Sequence, residues 1–247
     1  MIADKLTVVI PCKNEAGYIE DTLRSLNTQI GIEDVDVVIA DARSTDGTVD
    51  IINRLVKSGE LRFKVHLING GRTPVARNLG AYYIQKDYIV FLDADTTLTS
   101  RCAILWAFNL LDGRLSESEH NLKFDLITCR FESRSPSFLS KTAFRIFNWV
   151  NCNILPEPFA VGAFFATSRA AFEQHGGFDE STFHSEDYLL SRKYNKDGFA
   201  ILTSFSATQD DRRFKRMGYL KFLWMMLVNY INRNNIYHFR KDIKYWD

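Results

Sequence analysis

Residues 88–95 read Tyr88-Ile89-Val90-Phe91-Leu92-Asp93-Ala94-Asp95. The first five are short, apolar and β-branched or aromatic, the pattern of a strand buried on both faces. The strand runs directly into two carboxylates. Residues two apart in extended chain point to the same side. As the chain turns away, Asp93 and Asp95 can therefore both reach one cation. Carboxylate oxygens are hard ligands that suit Mg²⁺ or Mn²⁺. The competing reading is an acidic turn before a helix capped by Thr99 or Ser100.

The chain before this stretch repeats the same unit. Residues 6–10, 35–40 and 65–68 are three more apolar, β-branched runs. Between them lie helical periodicities. Ile19, Leu23, Leu26 and Ile30 share one face. Val49, Ile52 and Val56 share another, with Ser44 or Asp46 as the cap. Asn69-Gly70-Gly71 turns the chain into a helix opened by Thr73 as cap and Pro74 at the first position, with Val75, Leu79 and Tyr82 as its buried stripe. Alternating strands and helices predict an α/β domain with a mostly parallel central sheet and helices on both faces. Ligands of such sheets bind beyond the carboxyl ends of the strands.

Later residues are less regular. Strands are expected at 125–131 and 161–167, and helices at 138–150, 168–175 and 186–195. No linker or internal repeat divides the chain, which predicts one domain with an irregular second half.

Composition is ordinary for a globular protein: 247 residues, 46% hydrophobic, 25% charged. A net charge of +1 gives no field that favours nucleic acid, and none is expected as a partner. Cys12, Cys102, Cys129 and Cys152 match no C-x-x-C spacing and are expected to be reduced. The first residues lack a signal-peptide pattern. No apolar run reaches the roughly 18 residues of a spanning helix. The expectation is a cytoplasmic protein, with surface attachment at the inner face of a membrane as an open alternative.

Two other strand ends carry polar residues. Asp41-Ala42-Arg43-Ser44-Thr45-Asp46-Gly47-Thr48 can bind a nucleobase or ribose through Asp41, or simply cap a helix. Pro11-Cys12-Lys13-Asn14-Glu15 stands where a dinucleotide enzyme would have G-x-G-x-x-G, and its absence argues against nicotinamide or flavin chemistry.

Taken in order, residues 8–15, Asp41 through Thr48, Ala76-Arg77-Asn78-Leu79-Gly80-Ala81, residues 91–95, Gly176-Gly177-Phe178-Asp179-Glu180 and Ser185-Glu186-Asp187 resemble the family 2 glycosyltransferases. The resemblance spans roughly residues 6 to 200. It implies a GT-A fold, a nucleoside-diphosphate sugar donor, a divalent metal and inversion at the anomeric carbon. It further implies that Pro11, Asn14 and Glu15 line the nucleotide pocket and that Asp41 meets the base. Arg77 would approach the diphosphate, with Arg72 as a second cation. Asp93 would face the ribose and the metal, and Asp95 would be the principal metal ligand. The acceptor base falls on Asp187, with Glu186 in reserve. The domain then divides into a nucleotide-binding half at 1–98 and an acceptor half at 99–210. In the acceptor half Gly162-Ala163-Phe164-Phe165 is a cleft wall or a core strand, and Phe144, Phe147 and Trp149 read as core.

A basic, aromatic helical extension follows at 211–247. Gln209, Arg212 and Arg213 partly match the Q-x-x-R-W motif of processive members, with Arg213-Phe214 departing from its end. Arg212 or Arg213 can pair with the donor diphosphate. Residues 219–231, with Trp224, Met225 and Met226 and flanking basic residues, are expected to pack on the domain or form a homodimer contact in preference to touching lipid. The expected acceptor is a glycan or a lipid-linked molecule. Two other readings remain. A sugar nucleotidyltransferase would carry a glycine-rich loop at residues 10–15. A non-catalytic sugar-nucleotide-binding module would need no acceptor base.

Overall fold

The computed structural model describes residues 1–114 and 124–242, apart from the side chains of residues 213, 214 and 220. Its strands are β1 (Leu6–Cys12), β2 (Asp36–Asp41), β3 (Lys64–Asn69), β4 (Tyr88–Phe91), β5 (Thr97–Leu98), β6 (Leu126–Ser133), β7 (Phe165–Ser168) and β8 (Phe199–Gln209). They form one sheet in the order β3-β2-β1-β4-β7-β6-β8-β5. The β3-β2-β1-β4 block is parallel throughout. β7 is antiparallel to both β4 and β6, β8 runs parallel to β6, and β5 is antiparallel to β8. The chain winds outward from β1 to β3 and then returns to the other side of β1. That reversal opens a crevice between the ends of β1 and β4, where the 11–15 loop and Asp93-Ala94-Asp95 emerge.

Burial follows from the strand composition. Val8, Val9, Ile10, Val37, Val38, Ile39, Ile89, Val90 and Phe91 have no exposed surface, because β1, β2 and β4 lie inside the sheet and are packed on both faces; the edge strand β3 is half-exposed. On one face Phe91 meets Phe178 edge-on, with centroids 5.0 Å apart, and Phe165 at 5.8 Å. These aromatic contacts join the end of β4 to the second half of the chain.

Several elements differ from the sequence expectation. The second helix is Ile19–Asn27, and Ile30 lies beyond its end, exposed. In the helix Thr48–Lys57 the buried residues are Thr48, Ile52 and Leu55, while Val56 faces solvent. The helix Thr73–Tyr83 is rotated from its apolar stripe. Its buried residues are Pro74, Ala76, Arg77, Asn78, Gly80 and Ala81, and Leu79 and Tyr82 are exposed. Gly80 explains the rotation: a Cβ there would lie 2.4 Å from Val9 Cγ1, so the helix backbone rests on β1 at a distance only glycine permits. Thr73 lies inside that helix, whose cap residue Arg72 contributes no side-chain cap bond.

The 161–167 strand shortens to Phe165–Ser168, and the helix expected at 186–195 ends at Ser191. β5 and β8 were not expected. β8 mixes Thr and Ser with apolar residues and is half-exposed along much of its length, so it shows neither the alternation of a half-buried strand nor a continuous apolar run.

Candidate active site

The β1 and β2 loops are laced together by hydrogen bonds between main chain and side chains. Asn14 takes a left-handed φ of 54°. Its N–H donates to Ser44 Oγ at 2.8 Å, and its Oδ1 accepts from the Thr45 N–H at 2.9 Å. Asp46 accepts from the Ala16 N–H at 2.9 Å and the Thr48 N–H at 3.1 Å. The Glu15 N–H donates to Thr48 Oγ1 at 2.8 Å. Buried Asp41 accepts from the Ser44 N–H at 2.9 Å and the Ser44 hydroxyl at 2.5 Å. Pro11 precedes this lacing in β1, paired in register with Ala40.

The opposite wall is held by charge. The helix Thr73–Tyr83 presents Arg77, whose side chain is 1% exposed. Its Nη1 donates to Glu186 Oε1 at 2.6 Å and its Nη2 to Asp93 Oδ1 at 2.8 Å. Its guanidinium also lies 5.2 Å from the Phe178 ring centroid. Burial pushes the Glu186 carboxyl above the usual range, against the pull of Arg77 and with the help of Asp187. Gly162 makes room for this cluster, since a Cβ there would stand 1.8 Å from Arg77 Nη2.

Asp187 is placed differently from its neighbour. It is half-buried. Its Oδ2 accepts from the Gly162 N–H at 2.9 Å and its Oδ1 from the Tyr188 N–H at 2.8 Å. Just before the pair, Ser185 sits at φ 57°, a conformation a side chain seldom adopts. Ser185 is braced from the C-terminal region: Asn229 Nδ2 donates to its hydroxyl at 3.0 Å, and His238 Nε2 bonds Asn229 Oδ1 at 2.8 Å. The Phe183 N–H donates to the Phe239 carbonyl at 2.8 Å.

Arg212 closes the third side. It donates to Asp95 Oδ2 at 3.0 Å and to Glu15, with its guanidinium 4.8 Å from the Tyr18 ring centroid. The side chain of Arg213 lies outside the described residues. Arg72 points elsewhere, donating to the Thr182 carbonyl at 2.9 Å and the Glu180 carbonyl at 2.6 Å.

A cavity of about 450 Å³ has Arg77, Asp93, Asp95, Glu186 and Asp187 on its wall. Among the described residues no cluster of three or more His, Cys, Asp or Glu forms a complete metal cage. Asp93 and Asp95 nevertheless supply the donor chemistry of a Mg²⁺-type site, which takes one or two carboxylates and completes itself with water and substrate phosphates.

Residues 7–104 match the profile described as Glycosyl transferase family 2. The chain is similar to this family over that stretch, which holds β1 to β4 and both acidic residues of the strand end. Among curated relatives, it is 29% identical over 214 residues to the succinoglycan biosynthesis protein ExoA of Rhizobium meliloti (strain 1021), covering 81% of this chain and 62% of that one. It is 31% identical over 104 residues to a poly(ribitol-phosphate) beta-glucosyltransferase of Bacillus spizizenii, covering 41% of this chain and 16% of that one. Its fold is similar to S. aureus TarS 1-349 in complex with UDP, with a TM-score of 0.60 and 20% identity, covering 84% of this chain and 61% of that chain. It is also similar to the mannosyltransferase PcManGT of Pyrobaculum calidifontis in complex with GDP-Man and Mn²⁺, with a TM-score of 0.63 and 20% identity, covering 90% and 64%. The chain thus spans less than two thirds of each of these proteins.

The fold brings Asn14, Glu15, Asp41, Arg77, Asp93, Asp95, Glu186, Asp187 and Arg212 to one side of the sheet's carboxyl edge. Sequence reading singled out Ser185 only as part of the Ser185-Glu186-Asp187 motif and missed Tyr18, Asn229 and His238. These acquire their roles through contacts that no local pattern encodes. No helix among the described residues is long and apolar enough to cross a membrane.

Proposed function

We propose that this chain transfers a glycosyl group, with inversion, from a nucleoside-diphosphate sugar to an acceptor hydroxyl, with Asp187 as the base. The observation that carries the reading is that Asp187 stands on the same cavity wall as Asp93 and Asp95, fixed by two backbone N–H groups. A carboxylate held so needs little reorganisation to receive a proton.

The nucleotide belongs at the laced loops, with the base and ribose near Asp41 and Asn14. Asp95 and Asp93 would hold a divalent cation. When bound, it offsets the charge that develops on the departing diphosphate. Arg212, already beside Asp95, supplies a further cation for the same phosphates. The acceptor oxygen forms its bond to the anomeric carbon as its proton passes to Asp187. The bond from that carbon to the diphosphate oxygen breaks, and its electron pair leaves with the nucleotide. Glu186 is a positioning residue: it is bound to Arg77, which in turn holds Asp93.

The test is nucleotide release from a panel of UDP- and GDP-sugars with Mn²⁺ or Mg²⁺. The wild-type chain is expected to turn over at least one donor. Asp187→Asn should lower kcat by roughly two to four orders of magnitude and leave donor KM nearly unchanged. Donor binding without turnover by any panel member would instead identify a binding module. Full turnover by Asp187→Asn would move the base elsewhere.

A further inference from the structure

The cavity that holds the catalytic groups is also lined by apolar side chains. Beyond the carboxylates it runs between the helices Phe138–Asn153 and Tyr219–Ile231. Phe144, Phe147 and Val150 line it from the first, and Phe222, Met225 and Met226 from the second. Resting on the glycosyltransferase reading above, we propose that the acceptor carries an aliphatic or isoprenoid chain, which fills this apolar end while its hydroxyl head meets Asp187.

Three features support that occupant. A glycan laid along phenylalanine and methionine walls would lose water from its hydroxyls and gain few partners, a costly exchange. Apolar walls favour apolar groups over water, and the whole cavity of about 450 Å³ lies within the range of pockets that bury a small organic molecule. The walls also continue outward as apolar surface: Phe138, Leu139 and Trp149 on one helix and Leu223, Trp224 and Ile231 on the other are exposed.

Charge around the two helices points the same way. From residue 212 to residue 241 the sequence has eight Lys or Arg and neither Asp nor Glu, and residues 133–156 contain no acid. Lys141, Arg145, Arg216 and Lys221 are exposed, while Arg212, Lys215 and Arg233 are ion-paired to Asp95 and Glu15, to Asp211 and to Glu157 respectively. Exposed aromatics beside basic residues suit an anionic lipid surface, where a chain-bearing acceptor would reside. The polar end of the same cavity holds the proposed base, so the acceptor's two ends match the cavity's two ends.

The test uses n-alkyl β-glucosides from hexyl to decyl, below their micellar concentrations, with glucose as the headgroup control. Binding is read by calorimetry. Affinity should rise by up to about fourfold per added methylene until the cavity is full, and glucose should not bind measurably. Val150→Trp and Met226→Trp place bulk in the cavity from half-buried helix positions and should each weaken octyl glucoside at least tenfold, with circular dichroism verifying the fold. Affinity independent of chain length, or unaltered in both variants, overturns the proposal. Nucleotide release from UDP- and GDP-sugars by the wild-type chain, measured without alkyl glucoside, reports on the underlying reading alone. Alkyl binding by a chain that turns over no donor would overturn the assignment of the chain to an acceptor.

Discussion

Around Asn14 and Asp41 the cleft is built from hydrogen bonds between two loops about thirty residues apart in sequence, several of them at the surface. Around Arg77 it is built from charges drawn out of water and joined across 109 residues. The first wall costs little to assemble, because each bond replaces one made to solvent and few charges are buried. The second is stable only when every member is present, since a buried charge without its partner is expensive. The laced wall should therefore tolerate single substitutions, while the charged wall around Arg77 should fail as a unit.

Arg77→Met breaks this contrast most severely. It leaves Asp93 and Glu186 without their shared cation in a largely buried site. Unfolding in denaturant should show a loss of about 3–5 kcal/mol. Adding Glu186→Gln should recover part of that loss, because one carboxylate no longer has to be buried unpaired or protonated. A loss under about 1 kcal/mol for Arg77→Met would mean that the cluster is not a unit.

Gly162→Ala sharpens the same point sterically. The new methyl would fall against Arg77 Nη2. A long side chain can usually move aside, but this guanidinium is fixed by ion pairs to Glu186 and Asp93. The expected cost is about 1–3 kcal/mol. In the Arg77→Met background, where the obstructing nitrogen is gone, the same change should cost much less. Equal costs in both backgrounds would place the strain in the Gly162 backbone.

The contrast also explains what the sequence revealed. The β1 to β4 strands and the acidic strand end were legible because each is a local pattern: an apolar run, then a polar loop. The helix Thr73–Tyr83 misled because its buried face serves the site. Arg77, Asn78 and Gly80 turn inward for ion pairing, for bonds to Phe178 and for close approach to Val9, and this displaces Leu79 and Tyr82 outward. Hydrophobic periodicity cannot report a face chosen for charge and for lack of volume. The brace from His238 through Asn229 to Ser185 was invisible for a related reason: its members are ordinary polar residues until the chain folds.

The smallest expected effect belongs to Asp46, on the tolerant wall. Its carboxylate accepts from the N–H groups of Ala16 and Thr48 and from the Thr48 hydroxyl. Partial burial alone would raise its titration point. The Thr48 hydroxyl and the backbone N–H groups outweigh that and hold it below the usual carboxylate value. The side chain is exposed, so solvent screening limits its worth, and Asp46→Ala should cost only about 0.5–1 kcal/mol at pH 7. The sign of its pH dependence follows from the lowered value. The carboxylate form is the one that the folded state favours, so its contribution is fully present above the unfolded value of about 3.9 and is lost as the pH falls below it. Denaturant unfolding of the wild-type chain and of Asp46→Ala should therefore differ by a constant amount between pH 7 and pH 5, and the two should converge as the pH falls toward 3. A difference that persists unchanged at pH 3 would show that Asp46 acts through loop shape and not through its charge. A loss comparable to that of Arg77→Met would erase the distinction between the two walls.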